Sequence, residues 1–293
     1  MTSSDTVPAT TLDELVDLLT LAPAGPDVWT ARHSRLAVAT RHVFGGLVLA
    51  QATVAAAGTV VESRAMHSLH AYFLRAGDPD VPLTLRVERT RNGRAFSHRR
   101  VVAEQAGRVV MELTCSFTSP TPGIAHATPA PAAPPPGSLR PDWEVLAPLP
   151  GTVGPGTVPS AFDQRSVGTP SRVARDRGEV ADRSLLWFRA DAARPLPDDP
   201  VLHRALLTYA TDLMVLDATT RPHALSMLAG DLVPTTLDHA VWFHAPLRAD
   251  EWWLHEVDSP WAGDGRAMAR GRIWDTSGRL VAEVAQEGLL REP

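Results

Sequence analysis

The chain has 293 residues, a mass of 31.5 kDa, a formal charge of −5 and 44% hydrophobic residues, which suits one large or two ordinary domains with a substantial core and excludes a disordered chain. All 28 basic residues are Arg and they form no long run, so there is no footprint for nucleic acid or an anionic membrane and no lysine for Schiff-base or P-loop chemistry. The single cysteine, Cys115, cannot form an internal disulfide or assemble a cysteine-based metal centre, and it fits a reducing cytoplasm.

The N-terminus lacks a basic region followed by an apolar run, and no stretch is long enough to insert into a bilayer. A short amphipathic helix is expected near Leu12 to Leu21. The run VFGGLVLAQATVAAAG from Val43, rich in small residues, predicts a buried helix. Four strands follow: His67 to Leu74, Leu83 to Thr90, Ala95 to Gln105 and Arg108 to Thr118. They are separated by the turn signals GDPD, RNGR and AGR. From about Ser119 to Ala161 the composition turns to Pro, Ala and Gly, which reads as a semi-rigid, partly polyproline linker.

The second half repeats the plan. A strand from Ser184 to Ala192 and a helix from Val201 to Leu216 precede TTLDHAVWFHAPL, EWWLHEV, RAMARGRIWD and RLVAEVAQEGLL. NGRAFSHRRVVAEQAGRVVMELTCSF echoes DGRAMARGRIWDTSGRLVAEVAQEGL, and HAYFL echoes HAVWFH, at an offset of about 170 residues, the spacing of a duplicated unit. A long helix followed by an antiparallel meander, present twice, predicts an α+β fold of two tandem hot-dog domains. Their sheets would wrap the central helices and each would cover the other's edge. The expected units are residues 1–119, a linker at 120–161, and residues 162–293.

RHVFGG (Arg41 to Gly46), HSLHAYFLRAGD and NGRAFSHRRV in the first half, with YATDL, TTLDHAVWFHAPL and AQEGLLR in the second, resemble the acyl-CoA thioesterase II family in order and spacing. Leu47 departs from the Gln frequent after F-G-G in that family. The resemblance implies hydrolysis of acyl-CoA to fatty acid and coenzyme A without metal or organic cofactor, by a homo-oligomer. It also implies a catalytic set of Asp212, Thr236 and Gln286. A noncatalytic acyl-CoA binding protein and a hot-dog enoyl-CoA hydratase are the alternative readings.

These residue types suit the chemistry. Thioester hydrolysis needs a nucleophilic oxygen, a proton acceptor and donors for the developing oxyanion. Asp212 would accept a proton from water or attack the carbonyl itself, with Thr236 and Gln286 orienting the reactants. Few polar residues share its helical turn, so Asp212 is expected to be part-buried and partnered. His67, His70, His239 and His244 are expected to pack or hydrogen-bond within the sheet, and no H-x-x-x-H helix offers a metal site. His223 suggests the Asp/His pair of a hydratase, but its flanking pattern does not match. No G-x-S-x-G elbow is present. Cys115 occupies the strand position that Gln286 occupies in the second half and reads as a small buried hydrophobe. The alternation in RAMARGRIW sends Arg266, Arg270 and Arg272 to solvent and the small residues inward.

Overall fold

The computed structural model describes residues 11–33, 42–152 and 160–292; Arg41 of the RHVFGG stretch, residues 1–10 and linker residues 153–159 lie outside them. α1 (Leu12–Leu18) opens with a reciprocal cap: the Glu14 N–H donates to the Thr11 hydroxyl, and the Thr11 N–H donates to the Glu14 carboxylate. It ends at Leu18, short of the expected Leu21, because the chain turns there into a hairpin of β1 (Ala22–Gly25) and β2 (Val28–Ala31). Next come α2 (Gly45–Ala57), β3 (Ala65–Phe73), β4 (Leu83–Asn92), β5 (Phe96–Gln105) and β6 (Arg108–Thr118).

α2 is buried along nearly its whole length, as a helix apolar all round must be. Its one amide, Gln51, is 0% exposed and donates to the Leu18 and Arg32 carbonyls at 2.9 and 2.6 Å. Those bonds satisfy the amide N–H groups and fasten α1 and the end of the hairpin to the core helix, while the buried Gln51 Oε1 has no partner among the described residues.

After the linker come α3 (Asp142–Leu146), β7 (Phe162–Ser166), α4 (Ser171–Asp176), β8 (Arg183–Ala190) and α5 (Pro200–Met214). They are followed by β9 (Val233–Thr236), β10 (Asp238–Phe243), β11 (Trp253–Gly263), β12 (Arg266–Asp275) and β13 (Leu280–Arg291). The helix expected to reach Leu216 gives way after Met214 to 3-10 turns over Val215–His223. There the Thr219 and Thr220 hydroxyls donate to the Leu216 and Asp217 carbonyls, and the Asp217 carboxylate accepts the Met227 N–H. These side-chain bonds offer the backbone an alternative to the helical ladder.

The strands form one 13-stranded sheet ordered β1-β2-β4-β5-β6-β3-β10-β13-β12-β11-β8-β7, with β9 also on β13. The halves meet edge to edge through β3 and β10, Ala71 opposite His239 and Leu69 opposite Val241. The architecture is therefore the double hot-dog, with α2 and α5 packed on each other inside the sheet. On the outside, the linker covers two indoles that would otherwise hold unpaired N–H groups: Trp274 donates to the Thr128 carbonyl and Trp187 to the Pro134 carbonyl.

The registers correct one expectation. Leu69 lies opposite Cys115 in the first half, whereas Ala240 lies opposite Ala285 in the second, which sets His239 beside Gln286. With Cys115 matched to Gln286, the counterpart of His239 is Leu69 and not His70. HAYFL and HAVWFH are therefore one residue out of step, and a one-residue slip exchanges faces: His239 is 0% exposed while His70 faces outward.

Candidate active site

Asp212 lies on the last turn of α5, and its side chain is 3% exposed. It is reached by the first turn of α2, whose N-cap Phe44 provides no side-chain acceptor. The Asp212 carboxylate takes that place, accepting the Gly46 backbone N–H, and the positive end of the helix faces a carboxylate. The two glycines of FGG make the approach possible. A Cβ at Gly45 would stand 3.0 Å from Asp212 Oδ2, and one at Gly46 would stand 2.8 Å from the Tyr209 carbonyl.

Thr236 and His239 are three residues apart, a spacing that in a regular strand would send them to opposite faces. Both face the core because the register slips between β9 and β10: Thr236 pairs with Gly288, but Ala240 pairs with Ala285. The extra residue, Leu237, is a bulge that re-aims Thr236. β3 carries the same slip between Met66 and Ser68, so the bulge belongs to the duplicated unit.

The three sequence-derived residues converge. Gln286 Nε2 donates to Asp212 Oδ1 at 2.9 Å and to Thr236 Oγ1 at 2.8 Å, and the Thr236 hydroxyl stands 3.4 Å from the same carboxylate oxygen. Burial pushes the Asp212 carboxyl up to about 7, against the opposing pull of Gln286, the Gly46 N–H and Thr236.

Sequence reasoning treated His239 as an ordinary sheet histidine, and the structure gives it a more definite place. Its Nδ1 is 2.9 Å from Gln286 Oε1 and its Nε2 is 3.0 Å from the Thr211 hydroxyl. Burial drives its pKa down to about 4, so the ring is neutral near pH 7. Gln286 Oε1 can only accept, so the ring proton sits on Nδ1. That bond fixes which end of the carboxamide points at Asp212. The signal available was the alternation in TTLDHAVWFH, legible only once the bulge is known.

The remaining histidines fit the sheet reading: His67 bonds Ser116 at 2.8 Å, His244 bonds Glu283 at 2.9 Å, and His70 meets the Trp242 ring edge-on. His223 is exposed. Arg266, Arg270 and Arg272 pair with Glu287, Asp258 and Glu256 at 2.9–3.0 Å across the outer face. Cys115 is buried, and desolvation raises its thiol to about 12, which makes it inert as a nucleophile. Among the described residues no group of His, Cys, Asp and Glu is placed to hold a metal ion.

Comparison with known proteins follows the same division of the chain. Residues 33–118 match the family model described as "Acyl-CoA thioesterase N-terminal domain", and residues 129–290 match "Acyl-CoA thioesterase C-terminal domain". The chain is 35% identical to acyl-coenzyme A thioesterase 8 of Rattus norvegicus, over 94% of this chain and 88% of that one. It is 31% identical to acyl-CoA thioesterase 2 of Haemophilus influenzae, over 96% and 98%. Among solved structures it resembles the acyl-CoA thioesterase II TesB2 of Mycobacterium marinum, with 37% identity, a TM-score of 0.77, and 95% and 97% of the two chains covered.

Proposed function

Because this chain belongs to the acyl-CoA thioesterase family and is a thioester hydrolase, we propose that it cleaves fatty acyl-CoA with a water held by Asp212, Thr236 and Gln286. One observation carries the reading: a single buried carboxylate oxygen, Asp212 Oδ1, is met by both the Gln286 amide and the Thr236 hydroxyl. A carboxylate with a pKa near the working pH is well matched to take a proton from water in the transition state.

In this mechanism the water oxygen bonds to the thioester carbon as its proton passes to Asp212. The carbonyl electron pair moves onto oxygen. In the resting arrangement both Gln286 amide protons are engaged, with Asp212 and Thr236, the Gly46 N–H is held by Asp212 and those of Leu47 and Val48 by the Phe44 carbonyl. In this reading the developing oxyanion therefore takes its support from the Gly45 N–H at the positive end of α2. Collapse then breaks the C–S bond, and the Asp212 proton passes to the coenzyme A sulfur, giving fatty acid and free thiol.

The hydratase alternative needs an Asp/His pair open to substrate. Asp212 and His239 do come within 3.9 Å, but both ring nitrogens are engaged and the ring is 0% exposed. That favours a positioning role for His239 and hydrolysis over hydration. The noncatalytic alternative would be favoured by loss of one of the three polar groups, and all three are present.

The same reading takes residues 1–119 and 162–293 as the two units, joined by the linker at 120–161, with no hydrolytic site in the first. It also includes a cytoplasmic location and association of copies through their sheets. Among the described residues no helix is long and apolar enough to cross a membrane.

The test of the grouping is a mutant cycle. Thr236→Ala and Gln286→Ala each lower kcat, and the double variant loses less than the product of the two factors, because groups gripping one water act as a unit. Fully independent losses would mean separate roles and would overturn the grouping.

A further inference from the structure

The register that matches Cys115 to Gln286 also matches Phe117 to Gly288. Met66, paired with Phe117, thereby stands where Thr236 stands. The first half thus keeps the position of the candidate active site, with Met66 where Thr236 stands, Cys115 where Gln286 stands and Phe117 in place of Gly288. The space has not closed. A cavity of about 900 Å3 opens there, between Thr53 and Ala57 near the end of α2 and Val201 and Arg204 at the start of α5. It lies on the order of 18 Å along α2 from the Gly45 end that meets Asp212, at 1.5 Å per residue.

The walls decide what fits. Ala57, Val60, Met66, Phe117, Leu247 and Trp253 form an apolar lining. Met66, Phe117 and Trp253 are at most 3% exposed, so the cleft reaches the core. Its volume falls within the range of small-molecule sites.

Four guanidiniums also line it. Arg64 donates to Ser97 and to the Gly93 and Arg94 carbonyls, Arg248 pairs with Asp250, and Arg279 pairs with Asp275. Arg204 differs. Among the described residues its guanidinium donates to the Pro200 carbonyl alone, at 3.2 Å, lies over the Phe243 ring at 5.9 Å, and keeps a buried Nε without a partner. Opposite the four cations the lining carries five carboxylates, those of Glu62, Asp198, Asp199, Glu251 and Asp275. Five carboxylates to four guanidiniums leave the lining net negative, which repels a polyphosphate, and of the four guanidiniums Arg204 alone keeps a buried N–H without a partner among the described residues, free to bond one acidic head group.

We propose that this cavity is a second ligand site, binding a long-chain monocarboxylate with its head on Arg204 and its alkyl tail along Met66 and Phe117. A free fatty acid, the chemical class of the hydrolysis product, satisfies both ends. The proposal goes beyond hydrolysis and is tested by binding, so it stands or fails independently of Asp212.

The test uses the full-length protein with decanoate, decan-1-ol and coenzyme A as probes, bound amounts being read by equilibrium dialysis. Arg204→Met keeps the apolar stem and removes the charge. Ala57→Phe fills the cleft from α2. One decanoate-binding event is lost in Ala57→Phe and weakened on the order of tenfold in Arg204→Met. Arg204→Met leaves decan-1-ol binding unchanged, and both variants keep wild-type coenzyme A binding and kcat on a short acyl-CoA. A photoreactive hexadecanoate carrying a diazirine labels peptides containing Met66 or Phe117. Decanoate binding that survives intact in both variants, equal weakening of decanoate and decan-1-ol by Arg204→Met, or labelling confined to peptides of the Asp212 site would overturn the proposal.

Discussion

Replacing Asp212 with Asn is expected to stabilise the protein near neutral pH while removing its activity, and the size of the effect follows from the site. Burial raises this carboxyl from 3.8 to about 7. A raised carboxyl contributes stability that is complete below its unfolded-state pKa and is lost as pH climbs through its folded-state pKa. The wild type therefore weakens from about pH 4 to just above pH 7. At about 1.4 kcal/mol per pH unit the ceiling is roughly 4 kcal/mol. Asn is nearly isosteric, carries no charge and keeps one acceptor oxygen for the donors that meet Asp212. Thermal unfolding of both proteins from about pH 4 to about pH 8 should show near-coincident midpoints at the acid end and a widening advantage for Asp212→Asn above it. With about 2 °C per kcal/mol for a chain of this size, the advantage approaches 8 °C at most. Groups raised in both proteins, such as Asp142, cancel in the comparison. A midpoint difference that stays flat across this range, or an Asn variant less stable at the alkaline end, would refute the argument that Asp212 is held as a strained buried acid.

Other outcomes follow from the same geometry. His239→Phe leaves Gln286 Oε1 without its donor, so kcat should fall on the order of ten- to a hundredfold with KM little changed; the pH profile keeps its limb near 7, because His239 does not titrate there. An unchanged kcat would remove His239 from the site. Cys115→Ala should leave turnover unchanged, and iodoacetamide should fail to alkylate the native thiol near pH 8, given its burial and its pKa of about 12. Rapid alkylation with loss of activity would mean that the first half takes part in the chemistry.

The sequence made the long-period features legible. α2 is a run of small and apolar residues broken only by Gln51 and Thr53, and its burial was legible from that run. β5, β12 and β13 alternate cleanly, and the expected limits of β6, Arg108 to Thr118, are those observed. Asp212 was singled out by the resemblance of YATDL to the family's motif, and the scarcity of polar residues on its turn added the expectation that it is part-buried and partnered. Elements too short to show a period, such as β1, β2, β7, α3 and α4, left no comparable signal.

The site's finer construction was hidden for a different reason. The bulge at Leu237 is a property of strand pairing, so the sequence shows Thr236 and His239 on opposite faces when the structure turns both inward. The same blindness to register set HAYFL one residue out of step and matched His70, which faces outward, with His239. The need for glycine at positions 45 and 46 likewise appears only when α5 is brought against α2.

The most direct test of the central claim is thiol release from decanoyl-CoA by Asp212→Asn, measured at pH 8 on protein shown to be folded by its melting profile. The proposed water activation requires kcat to fall by at least about a hundredfold, the lower range of what a positioned general base contributes. Turnover within about tenfold of wild type would contradict the assignment of Asp212 as the group that takes the proton from water.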